Sequence, residues 1–277
     1  MPIYTASAKV NLSLNITGKN DKEYHLLDSL VTHTVYGDFI EVIPHDKDYF
    51  TMEIVGAFTN GLDRENNSVI NGASFIHSFY PHMSTCHIIL TKNLPIASGI
   101  GGGSSNCATI IKALLELWSM PAPVNLATHL LEMGADMPVC FLRTSSIMRG
   151  IGEKLTPHTI PQMHIVLANP KVGVSTPEIF KNRTGTFTVA PYYPAFKTVH
   201  DVVTFLQSTG NDLTRPAVKS YPVIDEVLHT LSNASLYHGM SGSGATCFAI
   251  CADEDTAKKI VQECSEKGYW SVATTTI

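Results

Sequence analysis

The run PIASGIGGGSS, Pro95–Ser105, carries the strongest chemical signal in the chain. Gly99, Gly101, Gly102 and Gly103 precede two hydroxyl side chains, Ser104 and Ser105. Without Cβ atoms in the way, backbone N–H groups can close on a ligand and take conformations barred to other residues. Beyond the run, Cys107, Ile110, Ile111, Leu114 and Trp118 recur at helical spacing. The glycines therefore open a helix at about Ser104, whose free N–H groups and positive dipole end favour an anion. Two common phosphate motifs do not fit. GxxxxGK[ST] needs Lys where this chain has serine after its last glycine, and GxGxxG needs Gly or Ala where it has Ser104. The competing reading is a flexible strand-to-helix turn, but four glycines are costly unless something approaches the backbone.

Three other places hold reactive side chains. Lys9 and Asn11 share the polar face of a first strand, where a solvated outer face is the ordinary explanation. Asp136 precedes Met137-Pro138, so it is either a plain helix N-cap or a carboxylate available for proton transfer. Tyr24-His25 is a turn and strand start unless a ligand uses the rings. None of these carries a functional conclusion alone.

The elements that must position them follow from periodicity. Ala8, Val10, Leu12, Leu14 and Ile16 alternate with Lys9, Asn11, Ser13 and Asn15, which predicts one half-buried strand, with a polar turn over 18–23. Further strands are expected near 39–43, 51–55 and 87–90, with a helix over 68–79. A helix over 126–133 has Asn125 as N-cap and Gly134 past its end. The pattern loosens over 150–161, a candidate domain boundary. Beyond it, strands over 163–168, 245–251 and 269–275 alternate with helices over 199–208, 223–231 and about 257–264.

With 44% hydrophobic and 16% charged residues, the 277-residue chain can bury a sizeable core, which excludes intrinsic disorder. A formal charge of -5 argues against a polyanion spread over a broad surface, so no nucleic-acid partner is expected, though a local pocket can still be positive. Nothing approaches the roughly 18 apolar residues of a membrane span, and the N-terminus lacks a signal-peptide pattern. The six cysteines show no CxxC pair and read as reduced core thiols. A cytoplasmic protein is expected.

AKVNLSLNI, YHLL, PIASGIGGGSS, GADMPVCF and GMSGSGATCF occur in the order and approximate spacing of the GHMP kinases. The chain resembles that family over nearly its whole length, including Tyr36-Gly37-Asp38, Gly150–Pro157 and Ser175–Phe180. AKxNLxL followed by YH is the more specific part, and is similar to members that phosphorylate a cytidine-diphosphate-linked methylerythritol in the methylerythritol phosphate route to isoprenoids. The resemblance implies an α/β (α+β) chain with the two-domain GHMP kinase fold and the active site in the cleft between the domains. Residues 1–154 would hold a left-handed βαβ crossover and the ATP loop, and 155–277 a ferredoxin-like domain.

The same resemblance implies the site residues. Asp136 would take the proton of the acceptor hydroxyl, and Lys9 would keep Asp136 ionised and stabilise the transferred phosphoryl group. Pro95, Ile96, Ala97, Ser98, Gly99, Ile100, Gly101, Gly102, Gly103, Ser104 and Ser105 would wrap the ATP phosphates, with Gly239–Gly244 flanking the site. Mg²⁺ would accompany ATP, with Ser104 or Ser105 nearby and its ligands open. Asn67, Lys92 and Asn106 match positions near the adenosine. Tyr24 and Phe180 would sandwich the cytosine while His25 reads its edge, and Asn11 and Thr176 would lie along the acceptor. Ala97 and Ser98 stand where glycines are common, Val31 where an aromatic often lines the acceptor pocket, and Asn106 where many relatives have aspartate. The alternatives are a GHMP kinase for mevalonate, phosphomevalonate, homoserine or a sugar, which offer no base to stack, and a nucleotide-binding regulator without catalysis, against which Lys9 and Asp136 argue. A zinc protein would need ligand spacing that the twelve dispersed histidines lack. Oligomeric state is not written in the sequence.

Overall fold

The computed structural model describes residues 2–45 and 47–277. In chain order the elements begin with β1 (Ile3–Asn11), β2 (Asn15–Lys19), β3 (His25–Pro44), β4 (Thr51–Gly56), α1 (Ser68–Phe79) and β5 (Cys86–Lys92). They continue with α2 (Gly102–Leu117), α3 (Leu126–Met133), α4 (Met137–Leu142), β6 (Ser146–Gly150), β7 (Lys154–Pro157) and β8 (His164–Asn169). The last part holds α5 (Thr176–Asn182), α6 (Val199–Thr209), α7 (Thr214–Ser220), α8 (Val223–Ser232), β9 (Tyr237–Met240), β10 (Cys247–Cys251), α9 (Glu254–Glu266) and β11 (Trp270–Thr275). The chain forms two compact units. One comprises the chain up to Ala8, Tyr36–Ile96 and Gly101–Leu142; the other comprises Lys9–Val35, Ala97–Ile100 and Arg143–Ile277.

In the first unit, β4 and β5 run parallel and are joined through α1, a βαβ arrangement, while β5 pairs antiparallel with the second half of β3 from Phe39↔Thr91 to Pro44↔Cys86. β5 alternates strictly, with Cys86, Ile88, Leu90 and Lys92 buried. A lysine thus continues an apolar face. α1 buries Val69, Gly72, Ala73 and Ile76, and it lies close against α2 because Gly72 has no side chain: a Cβ there would be 2.8 Å from Cys107 Sγ.

In the second unit, β2 and the first half of β3 pair antiparallel with a bulge between Ile16 and Gly18, and β3 pairs with β6 over Leu27–Val31. The stretch 150–161 contains β7, which forms a hairpin with β6. A separate antiparallel sheet has the order β11-β8-β10-β9. With helices between β8 and β9 and α9 between β10 and β11, that is the order of a ferredoxin-like unit. Its inner strands carry continuous apolar runs, 165–168 on β8 and 247–251 on β10, and α8 and α9 cover the sheet. Asp28, buried on β3, accepts from Arg149 Nε at 2.7 Å and from the Tyr193 hydroxyl, which pins the irregular segment after α5.

Two local expectations change. The alternating segment 8–16 is two strands, β1 and β2, and both of its faces are buried, Lys9, Asn11, Ser13 and Asn15 included. Period two marks a strand but cannot tell solvent from a covering layer of polar partners. Asn125 does occupy the N-cap of α3, but in a left-handed conformation and without a side-chain capping bond. The six cysteines are reduced and buried. Among the described residues no helix is long and apolar enough to cross a membrane.

Candidate functional site

The glycine-rich run is divided between the units, and each half is held by different bonds. In the second unit Ala97–Ile100 is stitched down by backbone bonds: Lys9 N–H to Ile100 C=O at 2.9 Å, Thr246 N–H to Ser98 C=O at 3.0 Å and Val174 N–H to Ala97 C=O at 3.3 Å. Gly99 sits at φ +77°, and a Cβ on it would lie 2.5 Å from the Ser241 carbonyl oxygen. That glycine serves packing. Ser241 Oγ accepts from Asn11 N–H and donates to Gly99 C=O, both at 3.0 Å, so the loop GMSGSG ties β1 to the glycine run.

In the first unit Gly101 is the N-cap of α2, at φ +64°, with no side-chain capping bond and no acidic residue in the first turn. The helix starts two residues earlier than Ser104. The N–H groups of such a first turn have no intrahelical partner, and the dipole there is positive. Gly102 and Gly103 are open: a Cβ on either would meet nothing closer than 3.5 Å. The run therefore splits into a packed part and a part that leaves backbone donors approachable. Lys92 Nζ is the atom 3.5 Å from that position on Gly102. It donates to Asp38 Oδ2 at 2.7 Å and to Leu94 C=O at 2.6 Å. Burial pulls the Lys92 pKa down, and Asp38 opposes the shift.

Asn67 is the N-cap of α1, its Oδ1 accepting from Val69 N–H and its Nδ2 donating to Asp63 C=O. Asn106 is 2% exposed, and its buried Oδ1 has no hydrogen-bond partner among the described residues. Asp136 is half-buried one residue ahead of α4, and its C=O accepts from Cys140 N–H.

In the second unit Lys9 is 3% exposed and its Nζ donates to Asn11 Oδ1 at 2.7 Å. Asn11 Nδ2 donates in turn to Ser29 Oγ at 2.9 Å, which fixes which end of the amide faces the ammonium. A lysine this buried is held by its partners, not solvated as an outer face would be. Thr176, exposed at the start of α5, shares a 2.7 Å hydrogen bond with Ser243 Oγ of the GMSGSG loop. The His25 and Phe180 ring centroids are 5.3 Å apart with planes tilted by 36°. Tyr24, next to His25 in the chain, is 60% exposed. Burial lowers the His25 pKa first, and the positive charges of Lys19 and Arg183 lower it further. Sequence reasoning overlooked Asp38, Ser29, Ser241 and Ser243 as partners; only Tyr36-Gly37-Asp38 and GMSGSG, as parts of the family pattern, pointed toward two of those places.

This architecture recurs in known proteins. Residues 67–145 match the family described as GHMP kinases N terminal domain, and 193–269 match GHMP kinases C terminal. Fold and loop together define a GHMP kinase. The 4-diphosphocytidyl-2-C-methyl-D-erythritol kinase of Ruegeria pomeroyi is 41% identical over 273 residues, covering 96% of this chain and 95% of the relative. That of Paramagnetospirillum magneticum is 40% identical over 258 residues, covering 91% and 90%. A crystal structure of 4-(cytidine 5'-diphospho)-2C-methyl-D-erythritol kinase superposes with a TM-score of 0.81 at 26% identity, covering 99% of both chains. A homoserine kinase from Cytophaga hutchinsonii, at a TM-score of 0.63 and 16% identity over 99% and 93% of the chains, shares the fold. The chain belongs to the family of 4-diphosphocytidyl-2-C-methyl-D-erythritol kinases.

Proposed function

We propose that this kinase transfers the γ-phosphoryl group of ATP to the C2 hydroxyl of 4-diphosphocytidyl-2-C-methyl-D-erythritol. The observation that carries the choice of acceptor is the His25–Phe180 pair, whose rings come from distant parts of the chain to within 5.3 Å. A pyrimidine base gains about 1–3 kcal/mol per stacking partner, a use for the Phe180 ring that acceptors without a base lack. His25, kept neutral at pH 7 by its lowered pKa, offers both a donor and an acceptor to the cytosine edge. Tyr24 supplies the second ring, and Asn11 and Thr176 lie along the acceptor.

Phosphoryl transfer needs positioning and charge neutralisation more than covalent chemistry. The uncapped first turn of α2 and the open Gly102 and Gly103 offer backbone donors to the ATP phosphates. Asn67, Lys92 and Asn106 border the adenosine, the orphaned Asn106 Oδ1 accepting from it. The Asp136 carboxylate takes the hydroxyl proton as general base. The Lys9 ammonium, aimed by Asn11, stabilises charge on the group in transfer. Among the described residues no group of three or more His, Cys, Asp or Glu could hold a metal alone. Mg²⁺ would arrive on the nucleotide and take at most a hydroxyl or carboxylate from the chain, with Ser104 or Ser105 nearest. Bound there, Mg²⁺ would neutralise phosphate charge. Residues 1–154 and 155–277 would form the two domains of the kinase, each containing one of the two family matches.

The test is coupled ADP release from the purified enzyme with the cytidine-linked acceptor, mevalonate and homoserine in parallel. Turnover confined to the cytidine-linked acceptor supports the proposal. Turnover on mevalonate or homoserine instead would move the chain to another GHMP specificity.

A further inference from the structure

Asp38 lies in the second half of β3, fully buried, where an unpaired carboxylate would be expensive. Its two oxygens are both occupied. Oδ2 accepts from Lys92 Nζ at 2.7 Å, and Oδ1 accepts from the backbone N–H groups of Asn93 at 2.7 Å and Leu94 at 2.8 Å. Lys92 Nζ then donates to Leu94 C=O at 2.6 Å, closing a ring of bonds around the two residues that lead into Pro95. Asn93 Nδ2 adds a bond to Gly37 C=O at 3.1 Å. Gly37 is itself closely packed: a Cβ there would lie 2.2 Å from the Ala6 carbonyl oxygen. The carboxylate is thus anchored on a paired, closely packed strand and is bonded to the residues that lead into the glycine-rich run.

Lys92 stands beside Gly102, the first residue of α2. A buried ammonium next to the positive end of a helix is doubly unfavourable without an anion. Asp38 supplies that anion at 2.7 Å, while the same ammonium lies 3.5 Å from where a Cβ on Gly102 would stand. We propose that Asp38 is a positioning residue for the nucleotide: it holds Lys92 and the chain at Asn93-Leu94 in the geometry that receives ATP. This rests on the reading of the loop as the ATP site and deepens it.

Asp38→Asn isolates the link to Lys92, because its amide oxygen can still accept from the backbone N–H groups while the charge is gone. Calorimetry with ATP alone and with CDP alone, together with steady-state kinetics, reads the effect. The expected result is an ATP Kd raised about ten-fold, as coupled neighbours typically give. KM for ATP should rise in parallel, with kcat and CDP affinity changed less than about two-fold. Equal losses for ATP and CDP, or no loss for ATP, would make Asp38 a structural residue only. The second arm uses Lys92→Met alone and combined with Asp38→Asn, a neutral pair that leaves no unpaired buried charge and keeps the test open if Asp38→Asn fails to fold. The double variant should bind ATP as Lys92→Met does; a further loss in the double would show that Asp38 does not act through Lys92. Failure of the wild-type enzyme to bind ATP would instead refute the reading of the loop.

Discussion

Asp136 carries the plainest expectation for a single side chain. Asparagine is nearly isosteric with it but cannot take a proton, so Asp136→Asn should fold, bind ATP and lose about 10²–10⁴-fold in kcat. Near-normal kcat in the purified variant would remove Asp136 as the base. His25 and Phe180 govern the acceptor. Phe180→Ala should cost about 1–3 kcal/mol of acceptor binding, about a five- to 150-fold rise in Kd, with ATP affinity unchanged by calorimetry. The pH dependence follows from the direction of the His25 shift. Burial, then Lys19 and Arg183, lower its pKa below 6.5, and Glu23 pulls weakly the other way. The imidazole therefore stays neutral through the ordinary histidine range, and CDP affinity should be flat on descending from pH 8 and weaken only below 6.5. Weakening that sets in above pH 6.5, and disappears in His25→Ala, would contradict this.

Glycine positions separate two roles within one element. At Gly99 a methyl group would strike the Ser241 and Gly244 carbonyl oxygens at 2.5 and 2.6 Å and sit at a positive φ, so Gly99→Ala should lower Tm. At Gly102 the space is open except for Lys92 Nζ, so Gly102→Val should leave Tm nearly unchanged while ATP affinity collapses and CDP still binds. The reverse pattern in thermal melts and calorimetry would exchange the two roles. α6 begins with a reciprocal capping box between Thr198 and Asp201, and Thr198→Ala should cost about 1 kcal/mol. α1 was legible in the sequence because its apolar face repeats over three turns, and the eight-residue α3 because Asn125 and Gly134 mark its two ends. α5, α7 and β9 were not, since seven, seven and four residues are too short to display a period. The glycine run was legible as an anion loop, but not its division of labour, which depends on carbonyl oxygens more than a hundred residues away. Asp38 escaped for the same reason: one acid among the three of β3 has no local signature of its own, and its partner Lys92 follows 54 positions later.

At the scale of the molecule, stability concentrates in the fully buried layers. Phe248, the second residue of β10, is among the largest side chains with no exposure, and Phe248→Ala should cost about 3–5 kcal/mol in chemical denaturation. A loss below about 1 kcal/mol would mean that the sheet collapses around the vacancy. β1 and β3 each run through both compact units, so neither unit can be cut out of the chain at a single point. The buried cysteines turn this arrangement into something measurable. Cys86, Cys107 and Cys140 belong to one unit, and Cys247, Cys251 and Cys264 to the other. Burial pushes the Cys86 and Cys107 thiols up to about 12 and those of Cys251 and Cys264 up to about 11, so almost no thiolate exists at neutral pH in the closed protein. An alkylating reagent can then count only molecules that have opened, and the native thiols become a built-in clock with three hands in each unit. Because two strands are common property, the hands should move together, and mass spectrometry of partly labelled samples should find chains carrying either none or six adducts. A population stalled at three would mean that one half of this kinase can come apart while the other keeps time.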